Sequence, residues 1–171
     1  MKMLGVPLLI VLLLPLPAWS KDLPLFVIQR SKNANEVHYY LRVDDRCRLA
    51  SDTPVSAFWQ LLEVRPVKTA SLSVFDQMAY GVEQQRVANN EVSFSLKALE
   101  QRRIIASVTA PPQMGTCAAA AQTEIQGQWA VLERIYVQTE EGWLKPKVIY
   151  VDVFGKSLDA SATPVQERMT P

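Results

Sequence analysis

The side chains best suited to chemistry in this sequence follow the polar and aromatic stretch FVIQRSKNANEVHYY. His38, the chain's only histidine, Tyr40 and Arg42 stand at alternate positions. Successive side chains of a β-strand point to opposite faces, so these three would share one face and span about 13 Å. Their imidazole, phenol and guanidinium groups would offer hydrogen bonds to a carboxylate or another polar ligand.

A second group of polar and aromatic side chains lies late in the chain, where Arg134 and Tyr136 repeat the alternate spacing and Asp152 stands between Tyr150 and Phe154. Two interpretations stay open for both groups. They form the half-exposed face of an antiparallel sheet, or they line a barrel interior and bind a ligand there. The candidate ligand-binding residues are His38, Tyr40, Arg42, Arg134 and Tyr136.

Cys47 and Cys117 are the only cysteines. In an oxidising compartment a single pair predicts a disulfide, and closing a loop of this length would stabilise the fold by roughly 4 kcal/mol in the chain-entropy model. Two buried free thiols are the alternative. Two thiols and one histidine are too few for a structural zinc site, whereas Cys47 beside His38 could act as a thiol nucleophile if the disulfide were absent.

Recognised catalytic and cofactor-binding motifs are missing from the sequence. It contains no GxSxG nucleophile turn, no HExxH zinc motif, no phosphate-binding loop and no dinucleotide fingerprint. Asp44 and Asp45 lack the regular ligand spacing of a calcium loop. We therefore expect neither a metal nor a cofactor, and we favour a non-enzymatic function. The alternative is a hydrolase of unknown substrate that uses His38 or a pair of carboxylates.

Alternating polar and apolar residues predict that β-strands position these side chains. The clearest strand runs from residue 36 to residue 43, where every odd-numbered side chain is apolar. We expect it to pair with the preceding strand around a five-residue loop, 31–35, which places His38 opposite Ile28 and turns Val27 towards the core opposite Tyr39. Further strands are predicted for VSAFWQLL, NEVSFSLK, RIIASVT, TCAAAAQTEI, WAVLERIYVQ and KVIYVDVF.

One short helix is predicted for SVFDQMAYG. Ser73 and Asp76 have the spacing of a capping box, and Gly81 could end the helix in a left-handed conformation. Two helical turns are not stable alone, so the helix, with a small apolar face of Val74, Phe75 and Met78, would pack on the sheet or plug one end of a barrel. The fold class expected is all-β, an antiparallel barrel-like or sandwich domain of about eight to ten strands with one short helix.

Residues 1–20 have the features of a signal peptide: a basic residue, an apolar run that Pro15 and Pro17 end, and small residues at positions 18 and 20. An uncleaved membrane anchor is the alternative, but the run is short beside the roughly 20 apolar residues of a spanning helix. We expect an exported, periplasmic or secreted protein with a single β-domain over residues 21–155 and a polar C-terminal tail over residues 156–171.

From residue 21 onwards, 17 basic residues balance 17 acidic ones. That balance gives no electrostatic basis for binding nucleic acid or an anionic membrane, so we expect an unknown small or extended ligand of the cell envelope as partner. An outer-membrane barrel is disfavoured, because the strands lack a sustained lipid-facing apolar set with aromatic girdles.

The blocks FVIQRSKNANEVHYYLRV, FWQLL, QMAYGVE, RIYVQ and VIYVDVFGKSLDA follow one another in an order that resembles the domain-of-unknown-function family 4833, a family of exported bacterial proteins. Each block is short, and the resemblance lies in their order over nearly the whole chain after residue 20. It implies an all-β secreted domain. It supplies no catalytic or binding residues.

Overall fold

The structure is a computed structural model that describes residues 20–108, 116–141 and 147–170. These residues contain one short helix and eleven strands, more than the eight to ten expected, and the all-β class is confirmed. The first elements are β1 (Lys21–Arg30), β2 (Asn33–Val43), β3 (Val55–Leu61), β4 (Lys68–Ser71) and α1 (Val74–Tyr80). They are followed by β5 (Val82–Ala88), β6 (Glu91–Leu96), β7 (Leu99–Val108) and β8 (Ala119–Ile125). The last are β9 (Gln128–Glu140), β10 (Lys147–Ser157) and β11 (Pro164–Met169).

All eleven strands belong to one sheet, which β9 divides into two wings. Residues 134–137 of β9 pair with β1, and the first wing continues from β1 through β2 and β3 to β4. Residues 128–131 of β9 pair with β8, and the second wing continues through β7 and β6 to β5. The other edge of β9 pairs with β10, which pairs with β11. The β1–β9 pairing is parallel, so the sheet is mixed rather than purely antiparallel.

A bulge in β9 lies where its partner changes. On β10, Gly155 is opposite Leu132 and Phe154 is opposite Arg134, so Glu133 is an extra residue of β9. An extra residue bends a strand and increases its twist. Gly155 lies so close to Val131 that a Cβ atom would collide with the Val131 carbonyl oxygen. Glycine therefore lets β10 follow β9 closely beside the bend.

The core lies between the two wings. All four odd-numbered side chains of β2 from Val37 to Val43 are fully buried, which confirms the face predicted from alternation. They belong to one cluster with buried side chains of the second wing, among them Val92, Phe94 and Ile104. The side chain of Gln85 in β5 also bonds the backbone of Val55 in β3, donating to its carbonyl and accepting from its N–H. Packing and hydrogen bonds thus hold the wings together.

The predicted hairpin register of β1 and β2 is wrong. Val27, and not Ile28, lies opposite His38, and Phe26 pairs with Tyr39. Two irregularities in β1, between Pro24 and Phe26 and between Ile28 and Arg30, change the register. Phe26 and Ile28 therefore fill the core where we expected Val27. Bulges of this kind add a residue to one strand, and alternation in β2 alone does not reveal them.

The helix begins as predicted but presents its apolar side chains to solvent. Ser73 and Asp76 form the capping box. Val74, Phe75 and Met78 are 80%, 83% and 67% exposed, so the predicted packing of this face on the sheet is wrong. Gly81 is extended, with φ −61° and ψ 145°, and not left-handed. The seven-residue α1, the one helix of the described ranges, is not long enough to cross a membrane.

Polar contacts at the ends of α1 attach it to the sheet. Trp59 Nε1 donates to Asp76 Oδ2 at 3.1 Å, and the Tyr39 hydroxyl donates to the Tyr80 carbonyl at 2.7 Å. The rings of Trp59 and Tyr80 meet edge to face with centroids 5.6 Å apart. The helix is therefore held by its termini, and its apolar side chains are not needed to dock it.

Cys47 and Cys117 form the predicted disulfide, with Cα atoms 5.7 Å apart. It joins the loop after β2 in the first wing to the chain just before β8 in the second. The segment 156–171, expected to be a polar tail, instead contains the end of β10 and all of β11. Its strand is stabilised by pairing with β10 and by the ion pair between Arg168 and Asp152.

Candidate functional site

The five candidate ligand-binding residues all lie on the outer face of the sheet. His38, Tyr40 and Arg42 alternate along β2 with buried residues, and Arg134 and Tyr136 flank the buried Ile135 in β9. Val27 of β1 pairs with His38 on one side and with Arg134 on the other, so both groups share this face. The interpretation that these five side chains line a barrel interior is therefore wrong. The space between the two wings is filled by other, buried side chains of both wings.

Hydrogen bonds connect His38 to Arg134 across three strands. His38 Nε2 lies 2.8 Å from Glu36 Oε2, and Glu36 Oε1 accepts from Gln29 Nε2 at 2.6 Å. Gln29 Oε1 in turn accepts from Arg134 Nη1 at 2.9 Å. We call His38, Glu36, Gln29 and Arg134 the outer-face network. His38 is oriented by Glu36 of the same strand, and Gln29 bonds side chains of both neighbouring strands.

Partly exposed aromatic rings border the outer-face network on both sides. The ring of Tyr40 lies between those of His38 and Phe58, with centroid distances of 6.3 Å and 6.4 Å. The Arg134 guanidinium lies 4.0 Å above the ring of Phe154, and Tyr136 contacts Tyr150 at 6.4 Å. Amphipathic rings beside fixed polar groups are suited to contact with a partner, because they bury a large apolar area at little cost in side-chain entropy.

A sequence model described as Domain of unknown function (DUF4833) matches residues 26–168, which extend from β1 to β11. The chain belongs to the DUF4833 family. No curated protein and no solved structure matches the chain. The family description names no activity or ligand, so a function for this DUF4833 chain has to be argued from its own residues.

Arg42 of the DUF4833 chain is separate from the outer-face network. Its Nε atom donates to Asp22 Oδ1 at 3.0 Å, and both side chains are 42% exposed. An ion pair this open to water contributes little to stability, about 0–1 kcal/mol. The structure therefore connects His38 and Arg134 by hydrogen bonds and adds Tyr40 by its ring contact with His38. Tyr136 lies on the same face but contacts Tyr150, and Arg42 lies at the margin.

Asp152, which the sequence placed between two aromatic residues, is a buried carboxylate of the same face. It accepts two hydrogen bonds from Arg168, both at 2.7 Å, and the guanidinium lies 3.8 Å above the ring of Tyr150. The hydrogen bonds from Arg168 lower the pKa of Asp152 although burial opposes them. A carboxyl group held ionised in this way cannot serve as the protonated acid of a carboxylate pair.

Two members of the outer-face network, Glu36 and Gln29, were not predicted as site residues. Glu36 was placed on the correct face but was not identified as a partner of His38, and Gln29 was expected to face the core because of the wrong hairpin register. A glutamine directly after the apolar run LPLFVI was the available signal, since a buried amide needs hydrogen-bond partners. Within the described ranges, no group of three or more His, Cys, Asp and Glu side chains could hold a metal ion.

Proposed function

We propose that this DUF4833 protein is an exported, non-enzymatic binding protein whose outer face contacts a partner in the cell envelope. The observation that carries the proposal is the outer-face network, in which four polar side chains from β2, β1 and β9 fix one another beside partly exposed aromatic rings. Side chains ordered during folding lose little further entropy on binding, so the face is preorganised.

The contacts of His38 favour binding over hydrolysis. Its Nε2 atom bonds to the Glu36 carboxylate, and its ring lies beside the ring of Tyr40. A histidine–carboxylate pair becomes a hydrolytic unit when the other ring nitrogen bonds to a nucleophile. Cys47 cannot be that nucleophile, because its sulfur belongs to the disulfide. The His38 form of the hydrolase alternative therefore rests on the His38–Glu36 pair, and a pair of carboxylates is its other form.

Export is supported by the signal-peptide features of residues 1–20 and by the disulfide, since disulfides persist in oxidising compartments. Expression with the complete sequence in a Gram-negative host should give a periplasmic protein that begins at Lys21. Intact-mass spectrometry of the periplasmic fraction would check the cleavage site. Full-length protein that retains Met1 and is recovered only with membranes would contradict export and favour an uncleaved anchor.

The outer face itself is tested by two substitutions in the network, His38→Ala and Arg134→Gln. Each removes one end of the hydrogen-bonded series, and truncating a residue that is a hot spot of an interface costs about 2 kcal/mol of binding free energy, more than a tenfold loss. The measurement is quantitative recovery of envelope components on immobilised mature protein, followed by titration of the recovered component against each variant.

Arg42→Gln is the matched control, because Arg42 lies on the same face but outside the network. We expect it to retain binding while His38→Ala and Arg134→Gln lose it, with all three variants melting close to wild type. Equal recovery by all four proteins would refute a role for the network. Hydrolysis of the recovered component that His38→Ala abolishes would establish the enzymatic alternative instead.

A further inference from the structure

The second wing opens around one residue of β6. Leu96 pairs with Leu99 across the β6–β7 turn, but the next pair is Phe94 with Ile104. Four residues of β7, 100–103, therefore stand opposite Ser95 alone, and we call this segment the β7 arch (Glu100–Arg103). On the other side of β6, one extra residue of β5 lies between the pairs Glu83–Ser95 and Arg86–Ser93. Irregular pairing on both sides of Ser95 opens the outer surface there.

Two cavities adjoin the β7 arch. The larger has a volume of about 650 Å³ and extends to Trp129 after the β8–β9 turn and to Met169 in β11. The smaller has a volume of about 420 Å³ and lies over β5 and β6, where Ser95 is part of its wall. Glu100, Gln101 and Arg103 line both cavities. The arch is therefore a common wall, and a ligand crossing it would occupy both spaces.

Ser95 points to ligand binding in the smaller cavity. Ser95 is only 5% exposed, and its Oγ atom has no hydrogen-bond partner among the residues that the structure describes. Leaving a buried hydroxyl unpaired costs about 1–3 kcal/mol. The hydroxyl of Ser93, two positions earlier on the same face, accepts from Arg103 Nε at 2.9 Å. A polar ligand in the smaller cavity would give Ser95 the partner that the protein does not provide.

The charges around both cavities favour a ligand without net charge. The larger cavity is bordered by Lys97, Arg102, Arg103, Glu100, Glu124 and Glu167, three of each sign. The smaller is bordered by Arg86, Arg103, Glu91 and Glu100, two of each sign. Balanced walls create no field that concentrates anions or cations. They do combine guanidinium donors, amide groups and carboxylate acceptors, as a ligand rich in hydroxyl groups requires.

Trp129 adds an apolar surface to these polar walls. Its side chain borders the larger cavity and is 42% exposed. An indole ring offers a flat face to C–H groups, and a ligand with apolar C–H faces and many hydroxyls is a saccharide. An extended peptide fits less well, because strand addition needs a regular ladder of backbone groups and the β7 arch interrupts that regularity.

We propose that the two cavities around the β7 arch bind a neutral oligosaccharide. One sugar ring packs against Trp129 in the larger cavity, and a hydroxyl of another part of the chain bonds to Ser95 in the smaller. The site lies on the second wing, apart from the outer-face network, so it stands whether or not that network binds an envelope partner.

The experiment titrates the mature protein with three neutral oligosaccharides, chitohexaose, cellohexaose and maltohexaose, by isothermal calorimetry. At least one should bind with a Kd below about 1 mM. Trp129→Ala should weaken that binding about tenfold or more and Trp129→Phe by less. Ser95→Ala should weaken binding and yet raise the melting temperature, because it removes an unpaired buried hydroxyl. That combination is not expected from a purely structural serine.

Phe75→Ala is the matched control, since Phe75 is an exposed aromatic residue of α1 that borders neither cavity. It should bind like wild type, and so should His38→Ala. The proposal is overturned if none of the three sugars binds, if Trp129→Ala binds like wild type, or if polygalacturonate binds more tightly than every neutral sugar. Loss of sugar binding in His38→Ala would also overturn it, by moving the site to the outer-face network.

Discussion

Asp152 shows how a single side chain secures the last strand. Its buried carboxylate receives both hydrogen bonds of the Arg168 guanidinium, so β11 is attached to β10 by side chains as well as by backbone pairing. Hydrogen bonds to ionised groups contribute more than neutral ones, about 1.5–3 kcal/mol. The pair also explains why a polar C-terminal segment belongs to the sheet although its composition indicates a tail.

Replacing Asp152 by asparagine should lower the free energy of unfolding at pH 7 by about 1 kcal/mol, because the Arg168 side chain is 54% exposed and water weakens its contribution. The folded state lowers the pKa of Asp152, so its stabilising effect is complete above the unfolded pKa of about 4 and is lost as the pH falls through the folded pKa. The difference between wild type and Asp152→Asn should therefore shrink in acid. Urea titrations at several pH values between neutral and acidic would measure it.

Asp22→Asn is the control, because its ion pair with Arg42 is open to solvent. It should change the free energy of unfolding by about 0.5 kcal/mol or less. Equal effects of the two substitutions on the free energy of unfolding would contradict a stabilising role for the Asp152–Arg168 pair. So would a difference between wild type and Asp152→Asn that grows in acid.

At the residue scale, alternation predicted what depends on local geometry. It gave the buried and outer faces of β2 correctly because its pairing with β3 has no bulge. It failed for Gln29, whose orientation depends on two irregularities in β1. The partner of Asp152 depends on β11, and the unpaired state of the Ser95 hydroxyl depends on the β7 arch. Neither element leaves a periodic pattern in the sequence.

At the scale of elements, the capping signal of α1 predicted where the helix begins, whereas its apolar side chains did not predict how the helix packs. The capping box correctly located its first turn, because that signal involves only neighbouring residues. Its apolar side chains did not predict its packing, because polar contacts from Trp59 and Tyr39 attach its two ends. Of the strands, β4, β5 and β11 were missed. Strand β4 has only four residues, β5 has four consecutive polar residues at its centre, and β11 is polar on its exposed side.

The attachment of α1 by its ends predicts that two neighbouring substitutions change the free energy of unfolding by different amounts. Ser73→Ala removes the cap and should lower the free energy of unfolding by about 1 kcal/mol. Phe75→Gln should change it by less than about 0.5 kcal/mol, since the ring is almost fully in solvent. Thermal unfolding of both variants would decide. A larger loss for Phe75→Gln would show that the ring packs against the protein after all.

At the scale of the whole molecule, the disulfide fastens one wing to the other. Cys47 and Cys117 are 70 residues apart in the sequence, and the chain-entropy model assigns such a closure roughly 4 kcal/mol, an upper value. The double variant Cys47→Ala, Cys117→Ala should therefore unfold at a lower urea concentration than wild type. Reductant should destabilise wild type and leave the double variant unchanged; a wild type insensitive to reductant and reactive with thiol reagents when denatured would contradict the bond.

The sequence also predicted the fold class better than it predicted which strands pair with one another. The number and spacing of strands predicted an all-β fold, and Cys47–Cys117 was the only disulfide that could form within the chain. The parallel contact of β1 with β9 was not predictable, because it joins segments that no turn or spacing relates.

The position of β9 governs the order in which the protein can assemble as it is synthesised. Gln29 of β1 bonds to Arg134 of β9, which lies 105 residues later in the sequence. The first strand can therefore complete its pairing only after β9 has been synthesised. Until β9 has been synthesised, neither its pairing with β1 nor its pairing with β8 can form, and contacts this remote in sequence form slowly. A nascent chain cut short before Gln128 would thus be a natural substrate for chaperones and proteases.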